Sequence, residues 1–180
     1  NIVDINLASR ISVASIGAYS YAYIIHSVPI TLIGVALSTA AYPRLTERLA
    51  KGRPDLFKKD VEKLLRLVIW FALPAVTVTF LMRGYLVRII VRDGNAQIAA
   101  LLGVFAWVIL FRSLYHVLSR AFYAQQDTRT PLLVSVGTVS LTIGLAVWWS
   151  QPANFGLIGL PLSQLMASIV ETIILVTILQ

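Results

Sequence analysis

Arg112, His116 and Arg120 recur at i, i+4 and i+8 in FRSLYHVLSR, which places all three on one stripe of a helix. Two guanidiniums and an imidazole in a row suit a phosphate-bearing ligand, because arginine meets phosphate oxygens in pairs. Arg120 lies nearest the end of its apolar run and is expected to snorkel towards an interface. Arg112 sits two turns deeper and is expected to face an aqueous cavity. Four other ionisable residues fall inside apolar runs: Asp4, Arg10, His26 and Glu171. Burying such a group in lipid costs several kcal/mol unless it is paired or wet. Asp4 has two readings of equal weight, a cation or proton site and a simply hydrated end of its span. Arg10 is six residues away, a poor spacing for contact on one helix, so its partner is expected on another helix. His26 reads as a packed, satisfied side chain. Glu171, mid-way along its span, must face protein or water, and reads equally as a functional group and as a structural hydrogen-bond partner.

A second polar group interrupts the apolar pattern. Residues 121–131 read AFYAQQDTRTP. Thr130 followed by Pro131 suits a helix start, and Asp127 favours a helix N-terminus electrostatically. A tight turn between helices accounts for Asp127, Thr130 and Pro131, but not for Gln125, Gln126 and Arg129 together.

The elements that carry these residues follow from composition. Of 180 residues, 58% are hydrophobic and 13% charged, with no Cys, and the mean hydropathy is +0.81. Soluble domains of this size carry roughly a quarter charged residues, so the bilayer is the expected solvent. Without cysteine there is no disulfide or thiolate site. Six spans are expected, at about 1–16, 18–42, 67–82, 97–122, 131–149 and 157–179, each near the roughly 20 residues a crossing helix needs. The runs are continuously apolar, which favours an all-α bundle over a barrel. Gly17 is expected to turn the chain between the first two spans, and Pro43 to close the second. Pro29, Pro74 and Pro161 are expected to interrupt their spans. The sequence starts with Asn inside an apolar segment, and is expected to be a piece of a longer protein.

Residues 44–66 hold eight Lys/Arg against four acids, while the loops expected on the opposite side hold chiefly Arg83, Arg88 and Arg92. This bias places 44–66 and 123–130 in the cytoplasm and 83–96 and 150–156 outside. The loop accounts for the net charge of +7, so no nucleic-acid partner is called for. Phe57, Val61, Leu64, Leu65 and Val68 share one helical face, with Asp55–Lys59 and Glu62–Arg66 as supporting i, i+4 pairs. This segment is expected to lie against anionic membrane lipids and run on into the third span. A membrane-embedded enzyme would need a converging nucleophile and base or a metal cluster. Two histidines ninety residues apart, with no HExxH or GxSxG-like motif, do not supply one.

FYAQQDTRTP resembles the FYA-x-x-DT-[RK]-TP signature between the tenth and eleventh helices of the MurJ/MviN family of lipid II flippases. These belong to the multidrug/oligosaccharidyl-lipid/polysaccharide exporter superfamily. IVDINLAS resembles that family's seventh helix, SVPITLIGVALSTAAYPRLTERLAKG its eighth helix and following loop, and LLRLVIWFALPA the start of its ninth. The resemblance covers nearly the whole chain and implies the second of two six-helix lobes around a central cavity. It implies a transporter rather than an enzyme, in the bacterial cytoplasmic membrane, with lipid II and an N-terminal lobe of the same protein as partners. Asp127, Thr128, Arg129, Thr130 and Pro131 match the signature turn. Asp4 matches a seventh-helix acid that helps bind a sodium ion in some members, with Thr142, Ala146 and Gln164 near its partner positions. Ala146 has no side-chain oxygen to offer. In YAYIIHSVP, Ile24 stands where the family usually carries a cavity Arg, which makes Arg10 and Arg112, with His116, the candidates for holding a pyrophosphate. The alternatives are a polysaccharide or drug exporter of the same superfamily and a degenerate scaffold that no longer transports.

Overall fold

The computed structural model describes residues 13–91, 95–149 and 155–179, with side chains from residue 16 onward. Asp4 and Arg10 lie outside the described residues. Every regular element among the described residues is helical. Five helices are long and apolar enough to cross a membrane.

The first rod is α1 (Val13–Pro29), a π-helical stretch Ile30–Val35 and α2 (Ala36–Ala50), one after another without a loop. Gly17 therefore does not turn the chain, and residues 13–16 belong to this rod. The reason is packing. Ala18, Tyr19 and Ala22 are fully buried in a cluster with Leu101, Leu102 and Phe105. Burial of that face outweighs the modest cost of one helical glycine. Pro29 perturbs the rod without ending it. It has no N–H to give the ladder, and the helix widens to π directly after it. In that wider turn Gly34 meets the next rod so closely that an added Cβ would lie 2.7 Å from Ser113 Cα.

Pro43 does not close the helix either. Leu45, 1% exposed, docks with Phe57, Val61 and Leu64, and this holds α2 helical for two more turns. It stops at a left-handed Gly52, φ 64°, with Gly52 N–H on Leu49 O and Arg53 N–H on Arg48 O. That is the Schellman pattern.

From Pro54, a favoured first helical residue, α3 (Pro54–Leu81) runs unbroken. Phe57, Val61, Leu64, Val68, Ala72 and Val76 form one buried stripe from the amphipathic start into the apolar span, and Pro74 lies within the helix. Asp60 carries the ion pairs that cross from one helix to the other. It accepts from Arg44 (2.9 and 3.0 Å) and from Arg48 (3.1 Å), joining α2 to α3. The spacing points to Asp55–Lys59 and Glu62–Arg66 along one helix, whereas the pairs at Asp60 cross between helices and so close the hairpin.

After the short α4 (Arg83–Ile90) comes α5 (Ala96–Ala124), capped by Asn95, whose side chain accepts from Gln97 N–H at 2.8 Å. α5 is the axis of the bundle: half of its most apolar stretch is buried, and it packs against α1, α2, α3, α4 and the last helix. The signature turn follows. Gln126 takes the left-handed conformation, φ 61°, with Gln126 N–H on Tyr123 O and Asp127 N–H on Phe122 O. This is the Gly52 turn again with a non-glycine residue.

α6 (Arg129–Trp149) is capped by Asp127, whose Oδ1 accepts from the N–H groups of Arg129 (3.0 Å) and Thr130 (3.1 Å). The cap is thus Asp127 rather than Thr130, because the helix starts one residue before Thr130. Pro131 falls in the first turn, where a missing N–H costs no ladder bond. A 3-10 turn Gly156–Ile158 leads into α7 (Gly159–Leu179). Pro161 is likewise in a first turn and interrupts nothing. α6 touches α5 little and joins the bundle through α7. Leu49, Phe57, Ala124 and Leu179 share one cluster, so the basic hairpin and the signature turn lie at the same end.

Candidate functional site: a polar cleft between α5, α6 and α7

Three helices each send a polar stripe to one place. α5 supplies Arg112 and Tyr115, three residues apart. α6 supplies Ser135, Thr138 and Thr142, at i, i+3 and i+7. α7 supplies Gln164, Ser168 and Glu171, at i, i+4 and i+7. They line a cleft of about 260 Å³, with Tyr23 of α1 on its rim.

Its centre is an ion pair. Arg112 Nη1 donates to Glu171 Oε2 at 3.0 Å; the arginine side chain is 39% exposed and the glutamate 3%. Glu171 Oε1 accepts from Ser135 Oγ at 2.9 Å and Thr138 Oγ1 at 3.3 Å. Tyr115 Oη shares a 2.9 Å hydrogen bond with Ser135 Oγ, and the Arg112 guanidinium lies 5.3 Å from the Tyr115 ring centroid. The Thr172 hydroxyl is shared between Ser168 O at 2.8 Å and Phe111 O at 3.2 Å, which links α7 to α5 next to the ion pair. The buried carboxylate is therefore compensated on both oxygens, as a charge removed from water must be. The arginine has five N–H groups, of which Nη1 meets Glu171, and its side chain remains part-exposed at the cleft.

Thr142 and Gln164 line the same cleft. Thr142 donates its hydroxyl proton to Thr138 O at 2.7 Å, leaving oxygen lone pairs towards the cleft. Gln164 Oε1 is buried and has no hydrogen-bond partner among the described residues. Neutral oxygen donors such as these suit a hard cation better than a soft metal, and the one carboxylate lining the cleft among the described residues, Glu171, is already engaged on both oxygens. Ala146 is buried and contributes no oxygen.

Other candidates lie elsewhere. His26 is 3% exposed, stacks on Phe105 at 4.2 Å and contacts Ala22 O through Nδ1 at 3.3 Å, the arrangement of a packed core histidine. His116 shares the Arg112 stripe and packs edge-on to Tyr115 at 5.6 Å, outside the cleft lining. Arg120 reaches Thr39 Oγ1 at 3.5 Å and lies over the Tyr42 ring, so it is tied to α2 at the basic end. Ile24 is 60% exposed. Ser135, Thr138 and Tyr115 escaped notice in the sequence. Their signal was hydroxyls at helical spacing on α6 and a tyrosine one turn after Arg112, each ordinary alone.

The family model for the lipid II flippase MurJ matches residues 1–180. The chain belongs to the MurJ family. A probable lipid II flippase MurJ from Bdellovibrio bacteriovorus is 22% identical over 185 residues, covering 99% of this chain and 35% of that protein. One from Thermotoga maritima is 27% identical over 149 residues, covering 79% and 31%. The lipid II flippase MurJ of Burkholderia cenocepacia is 24% identical over 147 residues, covering 78% and 28%. A solved lipid II flippase MurJ in an inward closed conformation matches with a TM-score of 0.84 at 21% identity, covering 97% of this chain and 38% of that one. The chain thus has the fold of part of a MurJ molecule and spans about a third of its relatives' length. It is a multi-pass membrane protein of an all-α transporter family.

Proposed function

We propose that this chain forms one lobe of a flippase that carries lipid II from the inner to the outer leaflet of a bacterial cytoplasmic membrane by alternating access. The N-terminal lobe of the same protein supplies the other wall of the cavity. The observation that carries this reading is Arg112, held part-exposed in a polar cleft between helices that are otherwise apolar. A pyrophosphate has the charge and the oxygen geometry to compete with Glu171 for that guanidinium. When the carboxylate yields, Ser135 and Thr138 still hold its other oxygen. Binding would then be an exchange of one anion for another at a fixed cation, which keeps the guanidinium paired throughout. Arg10 is the second proposed contact, with His116 on the same stripe as Arg112. A sodium ion, if the lobe uses one, would be held by Asp4, Thr142 and Gln164. It would supply only charge compensation.

The test is lipid II translocation in proteoliposomes by the full-length protein. Arg112→Gln is expected to lower both translocation and lipid II affinity; unchanged values for both would remove Arg112 from the site. A second reading is favoured by Ile24, an exposed apolar residue where the family usually presents a cavity arginine. On that reading the protein binds lipid II without moving it. Retained binding with no translocation by the wild-type protein would select it. Hydrolysed product would point instead to an enzyme.

A further inference from the structure

At the end of the bundle opposite the basic hairpin lies a second, larger hollow that the cleft does not use. It measures about 490 Å³ and is lined by Leu81 at the end of α3, by Arg83, Tyr85 and Arg88 of α4, and by Asn95 and Ala99 at the start of α5. Its polar lining holds two cations and no acid. Two features decide what fits it.

The first is unmatched charge. The Arg83 guanidinium lies 4.8 Å from the Phe80 ring centroid. It rests against α5 at Gly103, where an added Cβ would meet Arg83 Nη1 at 2.9 Å. Arg88 is exposed. Among the described residues neither arginine makes a hydrogen bond or an ion pair. Asn95 does not oppose them, because its side-chain oxygen accepts from Gln97 N–H. Arg92 and Asp93 lie outside the described residues, and the whole segment 83–96 holds three arginines against one aspartate. Two guanidiniums without a counter-ion select an anion, and a phosphate above all, since arginine meets phosphate oxygens in pairs. The second feature is level. α3 and α5 are both long and apolar enough to cross a membrane, and the hollow lies where the chain leaves the hydrocarbon after Leu81 and re-enters it with α5. Leu81, Tyr85 and Ile89 are exposed at four-residue spacing, so α4 shows an apolar side next to its arginines. A short helix of that kind, with an aromatic ring at the membrane edge, lies in the interface. The anion found at that level beside apolar surface is a phospholipid headgroup.

We propose that this hollow holds the phosphate of one anionic glycerophospholipid from the leaflet at this end, beside Arg83 and Arg88, with an acyl chain along Leu81, Tyr85 and Ile89. The lipid supplies the counter-ion that no described residue supplies. It also ties α4 to the start of α5 and so steadies the connection between α3 and α5. Gly103 takes part by leaving room for the Arg83 guanidinium on the face of α5. A zwitterionic headgroup brings a cation of its own against the two arginines, so phosphatidylglycerol is favoured over phosphatidylcholine. The proposal draws on no residue of the Arg112 cleft and is independent of the flippase reading.

The experiment is hydrogen–deuterium exchange of the full-length protein in phosphatidylcholine nanodiscs, with phosphatidylglycerol of the same acyl chains titrated in, read at the backbone amides of 83–91. Exchange there is expected to slow about fivefold, the contribution of roughly one headgroup-level cation, and to saturate at a low phosphatidylglycerol fraction. Arg88→Gln, at an exposed position, is expected to abolish the slowing. Gly103→Ala keeps every charge but pushes the Arg83 guanidinium aside, and is expected to move saturation to a higher fraction. Lys63→Gln removes one charge from the basic hairpin at the other end and is expected to change nothing at 83–91. No slowing in the wild type would overturn the proposal, and so would slowing that survives Arg88→Gln. Slowing that climbs in proportion to phosphatidylglycerol without saturating would also overturn it, as diffuse attraction to a charged surface. Inorganic phosphate added to pure phosphatidylcholine nanodiscs is the last arm: equal slowing would assign the hollow to a free anion and overturn the lipid.

Discussion

The molecule contains two ionic clusters built from similar parts and placed in opposite surroundings. At the basic end, Asp60 receives Arg44 and Arg48 with side-chain exposures of 15%, 60% and 28%. Between α5, α6 and α7, Glu171 receives Arg112, Ser135 and Thr138 at 3% exposure. In the first, water and salt share the work of solvating each charge, so the pairs orient a hairpin and contribute little else. In the second, protein groups are the only solvent the carboxylate has. The difference teaches where function can reside: a charge that depends wholly on its neighbours responds when a new anion arrives, and a hydrated one hardly notices.

The contrast can be broken from either side. Glu171→Ala leaves the Arg112 guanidinium without its counter-ion and strips two hydroxyls of their acceptor. Because Arg112 is itself part-exposed, the substitution should destabilise the full-length protein by about 1–3 kcal/mol, the cost of donors left without an acceptor, seen as a drop in the thermal midpoint in detergent. A drop no larger than that of Asp60→Ala would mean that the two clusters are equally wet. Next in size is the turn that delivers α6 to the cleft. Gln126 holds a left-handed conformation that Gly52 holds in the hairpin turn. Gln126→Gly relieves about 1–2 kcal/mol of backbone strain but adds unfolded-state freedom. The expected net stabilisation is about 0.5–1 kcal/mol, and a destabilisation would show that the glutamine side chain makes a contact worth more than the strain.

Asp60→Ala should cost about 0.5 kcal/mol and should lose most of that effect in molar salt. A salt-independent cost would contradict the account of this cluster. The smallest effect concerns pH at the α6 cap. The Thr130 hydroxyl first, then the N–H groups of Thr130 and Arg129, hold the Asp127 carboxyl below its usual value. A depressed folded-state pKa means the cap stabilises fully above the ordinary carboxylate range and is lost as pH falls through the lowered one. Asp127→Asn should flatten that acid limb, read as the midpoint temperature against pH from 5 downwards. An identical limb in the variant would show that other carboxylates set it.

Much of this was legible in advance. Continuous apolar runs announced the bundle, and FYAQQDTRTP announced both the turn and the family. What the sequence concealed was tertiary. Gly17 and Pro43 look like breaks, yet Tyr19 and Leu45 bury their faces so fully that the helix runs through both. Arg112 was legible as a deep cation, but its partner lies 59 residues away, beyond any helical periodicity. Serines and threonines on α6 are common in spans and reveal themselves only once α7 brings Glu171 against them. Asp60 was overlooked as the hairpin's acceptor because i, i+4 spacing points along one helix and the bond crosses to another.

The central claim is that Glu171 and the lipid-borne pyrophosphate compete for one guanidinium. Lipid II affinity of the full-length protein, compared among wild type, Glu171→Gln and Arg112→Gln, tests it most directly. The amide keeps an acceptor oxygen for Ser135 and Thr138 but gives up the charge that holds Arg112. Tighter binding in Glu171→Gln together with weaker binding in Arg112→Gln is the predicted result. Equal weakening in both variants would contradict it, since the pair would then be a structural strut rather than an exchangeable contact.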